Sequence, residues 1–218
     1  MTPLNLDLKT RDALVQKITA ALERAVAGSV VLLRGSLANG NADAYSDIDI
    51  IWEIPDECFS TAAVHIADFL AQAHPVESLR SAPDFQKSDR RRLFFAQFAH
   101  MPLFWRADID VFACSIHRDS QYDVDNEAAR GSDWSLTHSA LMNAIAAIKA
   151  LLRGKDEVAQ GLLERGFARL GLAVPEGNAP MLILKLAEGA AALDPTQAAL
   201  AGRIRALHEQ VFGEGEGK

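Results

Sequence analysis

Apolar residues recur at helical spacing at Leu14, Val15, Ile18, Leu22, Ala25 and Val26, with Lys17, Glu23 and Arg24 on the remaining arc. The pattern predicts an amphipathic helix over 8–26 that stops near Gly28. Residues 30–33 form a short apolar run that opens on two valines, the pattern of a buried strand. A polar segment with Gly35 and Gly40 follows, holding a turn at Gly35-Ser36 and a short helix across Leu37 and Ala38. Residues 47–54 then read as a second strand, ended by Pro55-Asp56. Residues 61–73 predict a helix with Ala63, Val64, Ala67, Leu70 and Ala71 on its apolar stripe, and 78–89 is polar and without period. Two more strands are expected at 93–101 and 105–113. The triplet Arg90-Arg91-Arg92 opens the first of these, and strand alternation sends Arg90 and Arg92 one way and Arg91 the other.

Periodicity lapses over 120–133, which places a domain boundary near residue 125. Beyond it, 135–152, 158–172, 181–193 and 196–211 have helical spacing and much alanine. Asp133 is the expected N-cap of the first of these helices, and the GEGEGK end is expected to be disordered. The expected fold class is α+β: a small mixed β-sheet domain flanked by helices over 1–125, then an all-helical domain over 126–218.

Composition narrows the classes. At 218 residues, 49% hydrophobic and 23% charged, the chain can bury a core in each half. A formal charge of −7 disfavours nucleic acid as a partner and leaves small nucleotides open. The two cysteines, Cys58 and Cys114, form no CxxC or Cys/His cluster and read as buried thiols in a reducing compartment. The N-terminal residues lack a signal pattern, and no apolar run reaches the roughly 20 residues that span a bilayer. A cytoplasmic, membrane-free protein is expected.

The chemistry concentrates in two acidic pairs. Asp47 and Asp49 are one residue apart at a strand's start and therefore share a face. Carboxylates so placed repel unless a cation or a proton compensates them, and a hard divalent metal suits an all-oxygen set. Asp108 and Asp110 repeat the spacing on a later strand. If the two strands are neighbours, the cluster could hold two Mg²⁺ ions for displacement at phosphorus. Gly35 and Ser36 offer backbone N–H groups and a hydroxyl to phosphate oxygens. Arg34, the arginine triplet, and Lys149 with Arg153 at i, i+4 are the candidate cations. His65 and His74 are isolated and read as surface or helix-end residues, while Trp52 and Phe104 read as core.

An apolar run into Gly35-Ser36, a ten-residue gap, Asp47-Ile48-Asp49 and an acidic later strand together resemble the DNA polymerase β-type nucleotidyltransferase superfamily. The resemblance covers about 30–113, and the helical half is similar to the accessory domain of antibiotic (aminoglycoside or lincosamide) nucleotidyltransferases. It implies that Ser36 touches the terminal phosphates of an NTP, with ATP the expected donor. It also implies that Asp47 and Asp49 hold Mg²⁺, with Asp108 or Asp110 as third carboxylate, and that a helical-domain lysine such as Lys149 reaches the phosphates. Many members carry Arg after Gly-Ser, where this chain has Leu37. The activity implied is transfer of a nucleoside monophosphate, AMP from ATP, to a hydroxyl of a small molecule, releasing pyrophosphate. The rivals are the same transfer onto a protein or RNA, and a non-catalytic module that binds nucleotide or a partner. Pairing through the alanine-rich C-terminal helices leaves a homodimer open.

Overall fold

The structure, a computed structural model, describes residues 6–213, so the end from residue 214 lies outside the described residues. It is α+β, and the described chain divides into two compact units, one through Trp134 and one from Ser135.

The first unit opens with α1 (Leu8–Ala25), capped by the Asp7 carboxylate, which accepts from Lys9 N–H at 3.2 Å and from the Thr10 hydroxyl at 2.9 Å. Then come β1 (Val30–Leu33), the one-turn helix α2 (Gly35–Ala38), β2 (Ile48–Ile54), α3 (Phe59–Ala73), β3 (Val76–Ser81), β4 (Arg91–Phe98) and β5 (Ala107–Ala113). The five strands lie in the order β1-β2-β5-β4-β3, with β2 and β5 parallel and the other pairs antiparallel.

Alternation gives the sheet two unlike faces. One carries Ile48, Ile50, Trp52, Ile54, Ala107, Ile109, Val111, Phe94, Ala96 and Phe98, all buried. The buried residues of α1 (Leu14, Val15, Ile18, Leu22) and α3 (Phe59, Ile66, Leu70) complete this core, and Phe69 of α3 meets Trp52 edge-on at 6.1 Å. The other face carries Asp49, Asp108, Asp110, Arg91 and Phe95. One face builds the fold, which frees the other for charge.

Four expectations are corrected here. β1 is an edge strand rather than a buried one: it pairs only with β2, and Val30 is 46% exposed. The segment 78–89 is not irregular throughout, because β3 begins at Val76 and takes the opposite edge; a polar strand (VESLRS) suits a position with a single neighbour. In α3 the buried stripe is Phe59, Ala62, Ile66 and Leu70, while Val64 is 75% exposed. The bulky Phe59 and Ile66 set that helix's phase, and its alanines follow. The two cysteines are free and half-buried rather than fully buried.

The second unit holds α4 (Leu136–Leu152), α5 (Asp156–Leu170), α6 (Ala179–Leu193) and α7 (Ala198–Phe212). α4 packs on the other three, and small residues allow close approach: a Cβ on Gly166 of α5 would lie 2.5 Å from Leu186 of α6. Ser135, not Asp133, caps α4, its hydroxyl accepting from His138 N–H at 3.0 Å. Among the described residues no helix is long and apolar enough to cross a membrane.

Candidate active site

The polar sheet face brings the two acidic pairs together. In the parallel β2/β5 ladder Asp49 stands directly opposite Asp108, and Asp110 stands opposite Ile51. Ile48 N–H donates to the Arg106 carbonyl at 2.9 Å, extending the ladder back to residues 47 and 106. Asp47, Asp49 and Asp108 thus gather at the N-terminal end of this strand pair, and Asp110 lies one side-chain repeat further along β5.

Electrostatics separates the four. Burial, and then the neighbouring Asp108 carboxylate, push the Asp49 carboxyl above its ordinary range, with Arg34 and Arg106 acting in the opposite sense. Asp110 is only 1% exposed. The Arg91 guanidinium grips it with two bonds, Nε to Oδ1 at 3.2 Å and Nη2 to Oδ2 at 3.1 Å. Arg34 adds a third, Nη1 to Oδ2 at 3.3 Å. Arg91 also donates to the carbonyls of Ser120 (2.6 Å) and Tyr122 (3.3 Å), and it lies over the Phe85 and Phe112 rings. Asp110 therefore anchors Arg91, which ties the 120–122 loop to the sheet.

Arg106 takes both oxygens of Asp108, Nε to Oδ1 at 2.5 Å and Nη2 to Oδ2 at 2.6 Å, and lies 4.0 Å from Asp47 Oδ2. Arg90 turns the other way, to Asp56 (2.5 Å) and Ser115, and Arg92 donates to the carbonyls of Phe85 and Ser88. The expected alternation of the triplet holds: Arg91 alone serves the acidic face.

Gly35 faces this site. Its φ of +62° is the left-handed conformation that favours glycine, and a Cβ placed there would stand 2.5 Å from Asp49 Oδ2. The turn is brought in by Arg34 N–H donating to the Asp49 carbonyl at 2.8 Å, and Ser36, half-buried in α2, follows at once. The Arg34 side chain remains 44% exposed. Lys149 is in the last turn of α4, half-buried, in the helical unit. Phe104 and Trp105 are core, the Trp105 indole donating to the Ala44 carbonyl at 2.9 Å.

Among the described residues no three His, Cys, Asp or Glu side chains are disposed as a ready metal-ligand group. Two of the acids are already paired: Arg106 holds both oxygens of Asp108, and Arg91 with Arg34 holds those of Asp110. The donor set itself suits Mg²⁺. It is all carboxylate oxygen, and the raised Asp49 carboxyl opposite Asp108 marks a pair that a cation would relieve.

Sequence reasoning passed over Arg106. Arg-x-Asp at 106–108 carries the same two-residue alternation as Asp-x-Asp and so places the arginine on the acidic face.

No protein-family model and no curated protein matches the chain. Solved structures similar to it include a cytoplasmic RNA terminal U-transferase (15% identity, TM-score 0.37, covering 66% of this chain and 39% of that one). The GLD-2/RNP-8 complex matches at 13% identity and TM-score 0.37, covering 83% and 76% of the two chains. Cid1, described with RNA terminal uridylyl transferase activity, matches at 16% and 0.36, covering 81% and 45%. The chain spans less than half the length of the first and third.

Proposed function

We propose that the chain transfers a nucleoside monophosphate from an NTP to a hydroxyl acceptor, in a reaction that needs Mg²⁺ and releases pyrophosphate. The observation that carries this reading is the register of Asp49 with Asp108, with Asp47 alongside and Gly35 packed against the Asp49 carboxylate. Asp47, Asp49 and Asp108 would hold the metal, which when bound supplies charge neutralisation at the α-phosphate and the leaving group. Ser36 and the N–H groups of its turn would hold the terminal phosphate oxygens, and the exposed Arg34 guanidinium, steadied by Asp110, would add a positive charge. Asp108 would also orient the acceptor hydroxyl and take its proton. Asp110, gripped by two arginines, is read as an anchor and not as the third ligand.

We infer ATP as donor and a small hydroxyl compound as acceptor. The net charge of −7 supports this, as does the burial of Arg91 against Asp110, which withholds its charge from a polynucleotide backbone. The test is incubation with α-phosphate-labelled ATP, Mg²⁺ and a panel of small hydroxyl compounds. Because several similar folds are RNA-tailing enzymes, an RNA oligonucleotide belongs on the panel. Label should appear in a small adduct together with pyrophosphate; label on the RNA end overturns the choice of acceptor, and no labelled product overturns the reaction.

One substitution tests the turn. Gly35→Ala puts a side chain in the left-handed region, which costs about 1–2 kcal/mol, and drives a methyl into the Asp49 carboxylate. Transfer should fall roughly a hundredfold, ~2.7 kcal/mol of barrier. Near-wild-type kcat/KM in this variant would sever the turn from the site.

A further inference from the structure

The carboxylates that the proposed function assigns to metal already hold a cation of the chain's own. Arg106 precedes β5 by one residue, and its carbonyl is fixed by the Ile48 N–H at 2.9 Å. Its guanidinium meets Asp108 through two bonds of 2.5 and 2.6 Å and comes to 4.0 Å from Asp47 Oδ2. The Phe95 ring, on the neighbouring strand and in register with Asp108, lies 4.9 Å below it. One positive group therefore spans Asp108 of β5 and Asp47, the residue before β2.

A divalent ion cannot simply add to this arrangement. Carboxylate–Mg²⁺ contacts are about 2.0–2.1 Å long, and an ion that close to the Asp108 oxygens would face a full positive charge bonded to the same two atoms. The two cations compete for the same carboxylate charge. The exchange carries a cost, because the Arg106 and Asp108 side chains are only 24% and 15% exposed and a two-pronged guanidinium–carboxylate pair is among the stronger ones.

We propose that Arg106 is a tethered counter-ion: it occupies the Asp47–Asp108 carboxylates in the metal-free protein and rotates off them when a divalent cation binds. The inference rests on the metal-site reading above and adds to it the reason that the ligands are not preassembled. It makes metal loading an exchange of one cation for another, with Phe95 as the surface that retains the released guanidinium. Metal affinity is consequently lower than three clustered carboxylates would otherwise give.

Mn²⁺ titration followed by electron paramagnetic resonance tests this without any substrate. Arg106→Gln, which removes the charge and keeps much of the side chain, should bind Mn²⁺ about tenfold more tightly than the wild type. Arg106→Lys, a point charge without the two-pronged grip, should fall between them. If Arg106→Gln is not folded by circular dichroism, Arg106→Lys carries the test alone: tighter binding than wild type supports the exchange, and equal or weaker binding overturns it. Unchanged or weaker binding in a folded Arg106→Gln likewise overturns it. Asp49→Asn separates the two levels. Wild-type binding that is lost in Asp49→Asn but unaltered in Arg106→Gln sinks only the counter-ion, whereas no Mn²⁺ binding in wild type or in Arg106→Gln overturns the metal site as well.

Discussion

Asp49→Asn should abolish nucleotidyl transfer while leaving the chain at least as stable as the wild type at neutral pH. The loss follows from position: Asp49 stands opposite Asp108 and against Gly35, and removing its charge removes the best-placed of the proposed ligands. A loss of a thousandfold or more is expected, on the order of 4 kcal/mol of barrier. The gain in stability follows from the sign of the Asp49 shift. Its carboxyl is raised in the folded state by burial and by Asp108, so folding favours the protonated form. A group of that kind contributes stability that is fully present below its unfolded pKa and is lost as pH rises through the folded, raised value. At neutral pH the ionised Asp49 is a cost, and the neutral amide relieves it. Urea unfolding at pH 7 should give a midpoint equal to or above wild type, and the advantage should shrink as the pH is lowered. A variant that loses both activity and stability would mark Asp49 as a structural residue instead.

Asp110→Asn should behave in the opposite way, as a stability mutant first. Arg91 is buried, and its two bonds to Asp110 are its ion pair. Neutralising the partner leaves a buried guanidinium uncompensated, which typically costs about 3–5 kcal/mol. The 120–122 loop should loosen with it, since its carbonyls are held by the same guanidinium. Denaturant unfolding should show the loss, and Arg91→Met added to Asp110→Asn should recover a large part of it by replacing an unpaired ion with an apolar chain. Any effect on transfer should appear mainly as a higher KM for NTP, through Arg34, whose guanidinium Asp110 steadies. Full stability with total loss of activity would instead make Asp110 a metal ligand.

The contrast between these two aspartates marks where sequence reading ended. Both acids of the 108–110 pair alternate onto one face, and both sit between apolar residues, so pattern alone gives them equal standing. What distinguishes them is long-range: the parallel register that puts Asp108 against Asp49, and Arg91, 19 positions earlier, which reaches Asp110 across an antiparallel pair. The helices and the central strands were legible because burial there is strong and periodic, as in Ile48, Ile50, Trp52 and Ile54. The edges were not. β3 is polar because it has one neighbour and little to bury, and β1, though apolar, is half-open for the same reason. In α3, alanine fits either stripe, so the phase could be read only from Phe59 and Ile66. Asp133 and Ser135 are both good caps by type; the placement of Leu136 at the first helical position selects Ser135. Arg106 carried a local signal, an alternation with Asp108, that the acidic pattern around it obscured.

The central claim is that the carboxylates of β2 and β5 form a metal-dependent triphosphate site. Calorimetric titration with α,β-methylene-ATP, which cannot release pyrophosphate, tests it directly in the wild type and in Asp49→Asn. Binding by the wild type in Mg²⁺, with none in EDTA and none by Asp49→Asn, is the result expected. Equal affinity with and without metal, or equal affinity in the two proteins, would contradict it.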